Sequence, residues 1–231
     1  MEAVDLLVFG PHPDDIEIGL GGTVACHAAL GRRVGLCDLT AGELGTNGTV
    51  EERRAEAEAA RAVLGAVWRM NLGWPDRGIG SAAGHVHQAA AFIRQHRPRV
   101  VALPYWSDRH PDHVTSSQVL TEAVFNSGLR RYATADDEPW KPASVVYYFI
   151  NDAEKASFVI DVSAHYEVKR RALDCYVSQF RSAAAGAAPT RLNSPRFSQL
   201  IESRDAHLGA LAGVAFAEGL VTKDPVVRPH L

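Results

Sequence analysis

The sequence predicts an α/β protein, a single Rossmann-like, mainly parallel sheet with helices on both faces. Three observations carry this reading. Short apolar runs alternate with longer amphipathic segments along the chain, which is the pattern of successive βαβ units. The runs Val4–Gly10, Val34–Leu39 and Arg99–Pro104 are close to continuously apolar, as strands covered on both faces require. A chain of 231 residues with 46% hydrophobic and 22% charged side chains can bury one substantial core, so residues 1–231 read as a single domain.

Each element follows from local chemistry. The strand Val4–Gly10 ends in a Gly-Pro break, and Asp14 and Asp15 come next, where short acidic side chains suit the free N–H groups and positive dipole end of a helix. That helix is expected over about Ile16–Leu30, with Gly31 in the usual position of a terminating glycine. After the second strand, Val34–Leu39, the glycines at 42, 45 and 48 mark a loop over Thr40–Val50. Charges spaced three and four apart predict a helix over Glu51–Leu64 with one solvated face, ended by Gly65. A strand over Trp68–Leu72, the loop Gly73–Gly78, a helix over Val86–His96 and the strand Arg99–Pro104 follow. The loop Tyr105–Asp112 leads into a helix over His113–Asn126. Strands at Ser144–Ile150 and Phe158–Val162 and helices near His165–Val177 and Ser198–Leu211 close the predicted list. The Ala-rich stretch Arg181–Pro189 has no amphipathic period and is long for a connection, which marks a mobile loop at about 181–196.

Composition excludes several classes. With 24 Lys and Arg against 27 Asp and Glu, the formal net charge is -3, so there is no global basic field and no nucleic-acid partner is expected. Cys26, Cys37 and Cys175 are an odd number at irregular spacing; they offer neither a disulfide framework nor a CxxC zinc site, and a reducing compartment follows. The N-terminal segment has no basic n-region or long apolar h-region, and no 18-residue apolar run occurs. No membrane association is expected, and the localisation is read as cytoplasmic.

Chemistry concentrates in two short clusters. His12-Pro13-Asp14-Asp15 lies just past the first strand, and Arg109-His110-Pro111-Asp112-His113 lies past the strand Arg99–Pro104. Ligands of such sheets bind beyond the carboxyl ends of the strands. Either cluster alone reads as a helix cap or a surface hydrogen-bond network, whereas two such clusters can converge on one edge of the sheet. Two His and one carboxylate form a recurrent open set for catalytic zinc and also suit iron(II). The clusters hold three His and three Asp, and the surplus over one ion can supply a base, an electrophilic stabiliser and an orienting group.

The first cluster extends through Glu17, Gly21 and Gly22 as His-Pro-Asp-Asp-x-Glu-x-x-x-Gly-Gly. Together with Arg109–His113, Asn47-Gly48-Thr49, Pro75-Asp76-Arg77-Gly78 and Ser178-Gln179-Phe180, it resembles the LmbE-like, or PIG-L, family of zinc-dependent N-deacetylases. These enzymes act on N-acetylglucosaminyl compounds. Within the family the chain most resembles the bacillithiol-biosynthesis branch, whose substrate is N-acetylglucosaminyl-malate, and related deacetylases of diacetylchitobiose-like sugars. The resemblance implies that His12, Asp15 and His113 bind Zn2+, with Fe2+ as an alternative occupant in the cell. It implies that Asp14 is the general base, that His110 stabilises the oxyanion or protonates the amine, and that Asp112 orients His110. Arg53 and Arg109 are implied to meet the malate carboxylates; the bland reading of Arg53 is a helix charge paired with Glu51, Glu52 or Glu56. A homo-oligomer is implied as well, since some relatives form hexamers. Where some relatives carry a Tyr in the mobile loop, Phe197 stands after Ser194-Pro195, which leaves the oxyanion to the metal and His110, with Tyr105 an alternative donor.

Two other classes compete. A dinucleotide-binding oxidoreductase needs Gly-x-Gly-x-x-Gly at the strand-to-helix turn, whereas here Gly19-x-Gly21 continues to Val24 inside the helix. A metal-retaining, non-catalytic carbohydrate-binding protein has no need of Asp14 or His110, and both are present. Trp74 and Trp106 fall in loops near the expected site and offer faces for a sugar. His27, His85, His87 and His96 read as exposed or hydrogen-bonded rather than as ligands.

Overall fold

In the computed structural model, which describes residues 3–82, 84–132, 138–181 and 187–225, the first strand β1 (Leu6–Gly10) is buried along its whole length. Leu6 and Val8 join one apolar cluster while Leu7 and Phe9 join another, so core lies on both faces of the sheet. β2 (Val34–Thr40) and β4 (Val100–Pro104) flank β1 in parallel. β3 (Trp68–Trp74) lies parallel beyond β2, and β5 (Ser144–Tyr148) parallel beyond β4. The crossovers are α1 (Asp15–Ala29), α2 (Val50–Leu64), α3 (Gly84–His96) and α4 (Pro111–Ser127). The first two cover one face and the last two the other. The chain reverses its direction of travel across the sheet between β1 and β4, and the loops at the carboxyl ends of those two adjacent strands carry the two His/Asp clusters. This is the topological switch point at which open α/β sheets bind ligands.

The second half departs from the expected list. After β6 (Phe158–Asp161), a single 3-10 turn (Ser163–His165), α5 (Tyr166–Asp174) and α6 (Val177–Phe180), the chain enters α7 (Pro195–Ala212) and then a seventh strand, β7 (Ala217–Val221). The helices near Ser198–Leu211 therefore do not close the fold. β7 inserts between β5 and β6, antiparallel to both, giving the order β3-β2-β1-β4-β5-β7-β6. Its sequence Ala-Glu-Gly-Leu-Val hides it: a charge and a glycine inside five residues read as a turn, yet every one of the five is buried.

Buried ion pairs explain that charge. The Lys169 ammonium, fully buried, lies 2.6 Å from Asp205 Oδ2 and 2.7 Å from Glu218 Oε1. Glu218 also accepts from the backbone N–H groups of Gly22 and Thr23, at 2.9 and 2.7 Å, so its carboxylate joins β7 to the middle of α1. Buried charges are tolerated when paired and hydrogen-bonded in this way. The glycines of α1 have a packing purpose: a Cβ on Gly19 would stand 2.3 Å from the Tyr148 ring, and one on Gly22 would stand 2.7 Å from Val162. They let the helix lie close on its neighbours.

Other expectations shift at the edges. β3 extends through Trp74, which is buried and stacked on His85 at 4.3 Å, so it offers no face to a sugar. Phe197 lies in the first turn of α7, buried, with the Arg191 guanidinium 5.3 Å from its ring, and not in a loop. Of the loop expected at about 181–196, residues 182–186 lie outside the described residues. Further along, Ala188 exchanges two hydrogen bonds with the Asn47 side chain, both 2.9 Å. His96 is fully buried between Trp68 and Phe92, with ring centroids at 4.4 and 4.3 Å, and neither ring nitrogen has a hydrogen-bond partner among the described residues. Its packing is aromatic, not the exposed or hydrogen-bonded setting expected of it.

Burial depresses the His96 pKa to about 4. In the unfolded chain a histidine titrates near 6.5. As pH falls below that value the unfolded chain takes up a proton that the folded one refuses, so stability present above pH 6.5 is progressively lost toward pH 4. Urea unfolding at pH 7.5 and pH 5 should show wild type losing about 2 kcal/mol more than His96→Phe over that interval. Equal losses in the two proteins would contradict the assignment.

Candidate metal centre

The turn after β1 sets the first half of the site. Asp14 occupies the position before α1 with φ 110°, a left-handed conformation uncommon for a non-glycine residue, and its side chain makes no capping bond. The helix-cap reading of Asp14 therefore does not describe it. Its carboxylate is buried beside Arg53, whose Nη2 lies 3.4 Å from Asp14 Oδ2. Arg53 is buried too. It donates 2.9 Å to Gly42 O and 2.7 Å to Pro13 O, so it is neither a solvated helix charge nor a group turned outward to an anionic ligand. Gly42 has φ +66°, and a Cβ there would stand less than 2 Å from Arg53 Nη1, so only glycine allows the approach.

Asp15 joins the two clusters. Its Oδ2 lies 3.0 Å from His12 Nδ1 and 3.2 Å from His113 Nε2, and also accepts from the His12 backbone N–H at 2.9 Å. Two imidazoles, one from the loop after β1 and one from the first turn of α4, thus converge on one carboxylate oxygen. Each ring has a carboxylate behind it. His12 Nε2 is 3.3 Å from both Asp76 Oδ1 and Asp112 Oδ2, and His113 Nδ1 is 3.1 Å from Asp108 Oδ1. A histidine that ligates a metal through one nitrogen characteristically gives its other N–H to a carboxylate. A tetrahedral ion with bonds of about 2.0–2.1 Å spaces its donors roughly 3.3 Å apart, close to the separations from Asp15. Single donor atoms of His12, His110 and His113 also lie within 4.8 Å of one another, as do those of His12, Asp76 and Asp112. The residues present fit a divalent cation, with His12 common to each grouping.

The electrostatics follow from burial opposed by pairing. Burial works against a charged His113, but Asp15 and Asp108 outweigh it and lift its pKa to about 9. His12 is raised in the same sense by Asp112, Asp15 and Asp76. Asp15, although buried, is held well below the usual carboxylate range by the two imidazoles. Asp14 is the exception, since burial raises it to about 7 against the pull of Arg53.

His110 and Asp112 take roles that sequence spacing did not resolve. His110 caps α4: its Nδ1 accepts from the Asp112 backbone N–H at 3.2 Å. A neutral ring with an accepting Nδ1 carries its proton on Nε2. The Asp112 carboxylate does not hydrogen-bond to His110. It is held instead by Arg77, at 2.9 Å from the backbone N–H and 2.7 Å from Nη1, and faces His12. The orienting role implied for it is thus directed at His12. Arg109 is exposed, and its backbone N–H donates to Asp152 at 2.8 Å. Beneath the site, Arg69 forks onto Asp38 at 2.6 and 2.7 Å and reaches fully buried Glu17 at 2.5 Å, tying the first turn of α1 to β2 and β3. Asp76, Arg77 and Asp108 escaped the sequence reading as individual site residues. The first two stood inside a quoted motif, and Asp108 is two positions before His110.

The chain is similar to several known proteins. A sequence profile described as PIG-L: GlcNAc-PI de-N-acetylase matches residues 7–124. The diacetylchitobiose deacetylase of Thermococcus kodakarensis is 32% identical over 189 residues, covering 76% of this chain and 70% of its own. The 1D-myo-inositol 2-acetamido-2-deoxy-alpha-D-glucopyranoside deacetylase of Actinosynnema mirum is 28% identical over 239 residues, covering 79% and 84%. Among solved structures, the conserved protein TT1542 from Thermus thermophilus superposes with a TM-score of 0.88 at 36% identity, covering 97% of each chain.

The converging donors give an expected outcome that elemental analysis checks. Purified protein should carry about one divalent ion per chain, and His12→Ala and His113→Ala should each lose it. Unchanged metal content in both variants would remove the centre.

Proposed function

Since the chain belongs to the PIG-L family, described as GlcNAc-PI de-N-acetylase, we propose that it is a metal-dependent hydrolase that removes the N-acetyl group from N-acetylglucosaminyl compounds. The observation that carries this is the meeting of His12, Asp15 and His113 beside a buried carboxylate, Asp14, that none of them engages. A non-catalytic sugar binder gives no reason for that carboxylate to be held in a left-handed turn.

His12, Asp15 and His113 would hold the cation, zinc or iron(II). When bound, such an ion polarises the acetamide carbonyl and lowers the pKa of water to about 7. Asp14 accepts a proton from the attacking water. His110, with its proton on Nε2, donates a hydrogen bond to the oxygen on which charge develops. Asp14 then returns the proton to the departing amine, so that water and amide become acetate and a free amino sugar. Arg53 keeps the Asp14 carboxylate in place through Pro13 O, and Asp112 and Asp76 hold the His12 ring.

The aglycone is a narrower matter. A malate aglycone rests on Arg53 and Arg109; the Nη1 and Nη2 atoms of Arg53 go to Gly42 O, Pro13 O and Asp14 and its buried Nε has no partner among the described residues, which leaves Arg109 as the exposed support. The named relatives act on diacetylchitobiose and on an inositol-linked sugar. An amine-release assay over N-acetylglucosaminyl-malate, the inositol-linked sugar and diacetylchitobiose, with metal content measured on the same preparation, tests the reading. No release from any of the three by metal-loaded protein would overturn it.

Asp14→Asn should retain the metal while turnover falls on the order of 10² to 10⁴-fold, the usual contribution of general acid–base catalysis. Arg53→Ala should lower kcat on charged and uncharged substrates alike, because the guanidinium faces Asp14 rather than the aglycone. A loss confined to N-acetylglucosaminyl-malate, measured as a changed ratio of kcat/KM values, would return Arg53 to substrate binding.

A further inference from the structure

Asp108 was singled out by no motif, yet its carboxylate is the most heavily used acceptor around the site. Oδ1 lies 3.1 Å from His113 Nδ1 and accepts from the His110 backbone N–H at 2.7 Å and from Asn151 Nδ2 at 3.1 Å. Oδ2 accepts from the Asn151 backbone N–H at 3.0 Å. A carboxylate offers about four lone-pair positions, and four donors approach this one, three at Oδ1 and one at Oδ2. Its side chain is about 3% exposed, so none of these bonds is traded readily for water.

The geometry of that acceptor is directional. His113 has only two ring nitrogens, and Nε2 faces Asp15. Both ring nitrogens thus face carboxylates, and when a cation takes the place of the Nε2 proton the one that remains is on Nδ1, held by Asp108. Asn151 adds a second effect. It stands three residues past the end of β5, while Asp108 lies four past the end of β4, so the Asp108–Asn151 bonds tie together loops from two neighbouring strands. His113 lies in the first turn of α4 and His110 caps that helix, so one carboxylate fixes the ring of the first and the backbone of the second.

We propose that Asp108, braced by Asn151, is the positioning residue that sets the tautomer and ring orientation of His113 as a metal ligand. It rests on the reading of His113 as a ligand given above. Asp108 touches neither the ion nor the substrate; it acts through His113. Removing an outer carboxylate of this kind typically weakens metal binding 10–100-fold.

The experiment measures zinc affinity by competition with a chromogenic chelator for wild type, Asp108→Ala, Asp108→Asn and Asn151→Ala, alongside the melting temperature of each metal-free protein. Asp108→Ala should raise the zinc Kd about 10–100-fold. Asp108→Asn, which keeps one oxygen for Nδ1–H, and Asn151→Ala, which keeps Asp108 itself, should fall between it and wild type. An unchanged Kd in Asp108→Ala, or a Kd that simply tracks the melting temperature across the set, would overturn the proposal. A second arm needs no metal. In metal-free wild type the His113 Nδ1 proton should appear as a slowly exchanging 1H–15N signal that Asp108→Ala abolishes, and a signal that persists in Asp108→Ala would overturn the proposal as well. If wild type binds no zinc while this signal behaves as expected, the ligand reading fails and the role of Asp108 in orienting His113 stands.

Discussion

One oxygen atom, Oδ2 of Asp15, has to serve two imidazoles from distant parts of the chain, and much of the surrounding structure follows from that. Burying a carboxylate is tolerable only when it is paired. The two rings that pair with it then need acceptors of their own, which Asp76, Asp112 and Asp108 provide. Those acids are compensated in turn, Asp112 by Arg77 and Asp108 by Asn151. The alternation of acid and base runs outward until it meets solvent at Arg77, whose side chain is half exposed.

Asp14 stands apart from this alternation. It is one residue away from Asp15, equally buried, and among the described residues its only cationic neighbour in hydrogen-bond reach is Arg53 at a long 3.4 Å. Burial therefore dominates its proton affinity, whereas pairing dominates that of Asp15. Two adjacent carboxylates with opposite environments are what the proposed roles of ligand for Asp15 and base for Asp14 require. The left-handed turn at Asp14 keeps the two from pointing the same way, and the guanidinium bonded to Pro13 O helps to maintain it.

Much of this was legible in the sequence because its signals were local. Near-continuous apolar runs gave away β1, β2 and β4, and the clusters after two of them marked the site. What stayed hidden depended on partners far along the chain. Glu218 looks like an unsuitable strand residue until Lys169 is beside it. Arg53 looks like one more charge on a polar helix until Gly42 and Pro13 supply carbonyls, eleven and forty residues away. Asp108 lacked any pattern of its own, since its meaning comes from Asn151 and from which nitrogen of His113 it faces.

The bond between Glu218 and α1 also has a bearing on how the molecule is made. The helix that begins at Asp15 presents the N–H groups of Gly22 and Thr23 to a carboxylate that lies 196 and 195 positions downstream. Synthesis proceeds at about 5–20 residues per second, so roughly 10–40 s pass on the ribosome between the appearance of the donors and that of their acceptor. Lys169, once made, lacks both of its counterions until Asp205 follows and one of them until Glu218 does. The nascent polypeptide therefore carries the helix that begins at Asp15 without this anchor until nearly all of the described fold has been translated. A message cut short after β5 but before β7 would yield a product with the parallel strands encoded but the anchor of its first helix missing, a natural substrate for chaperones and proteases.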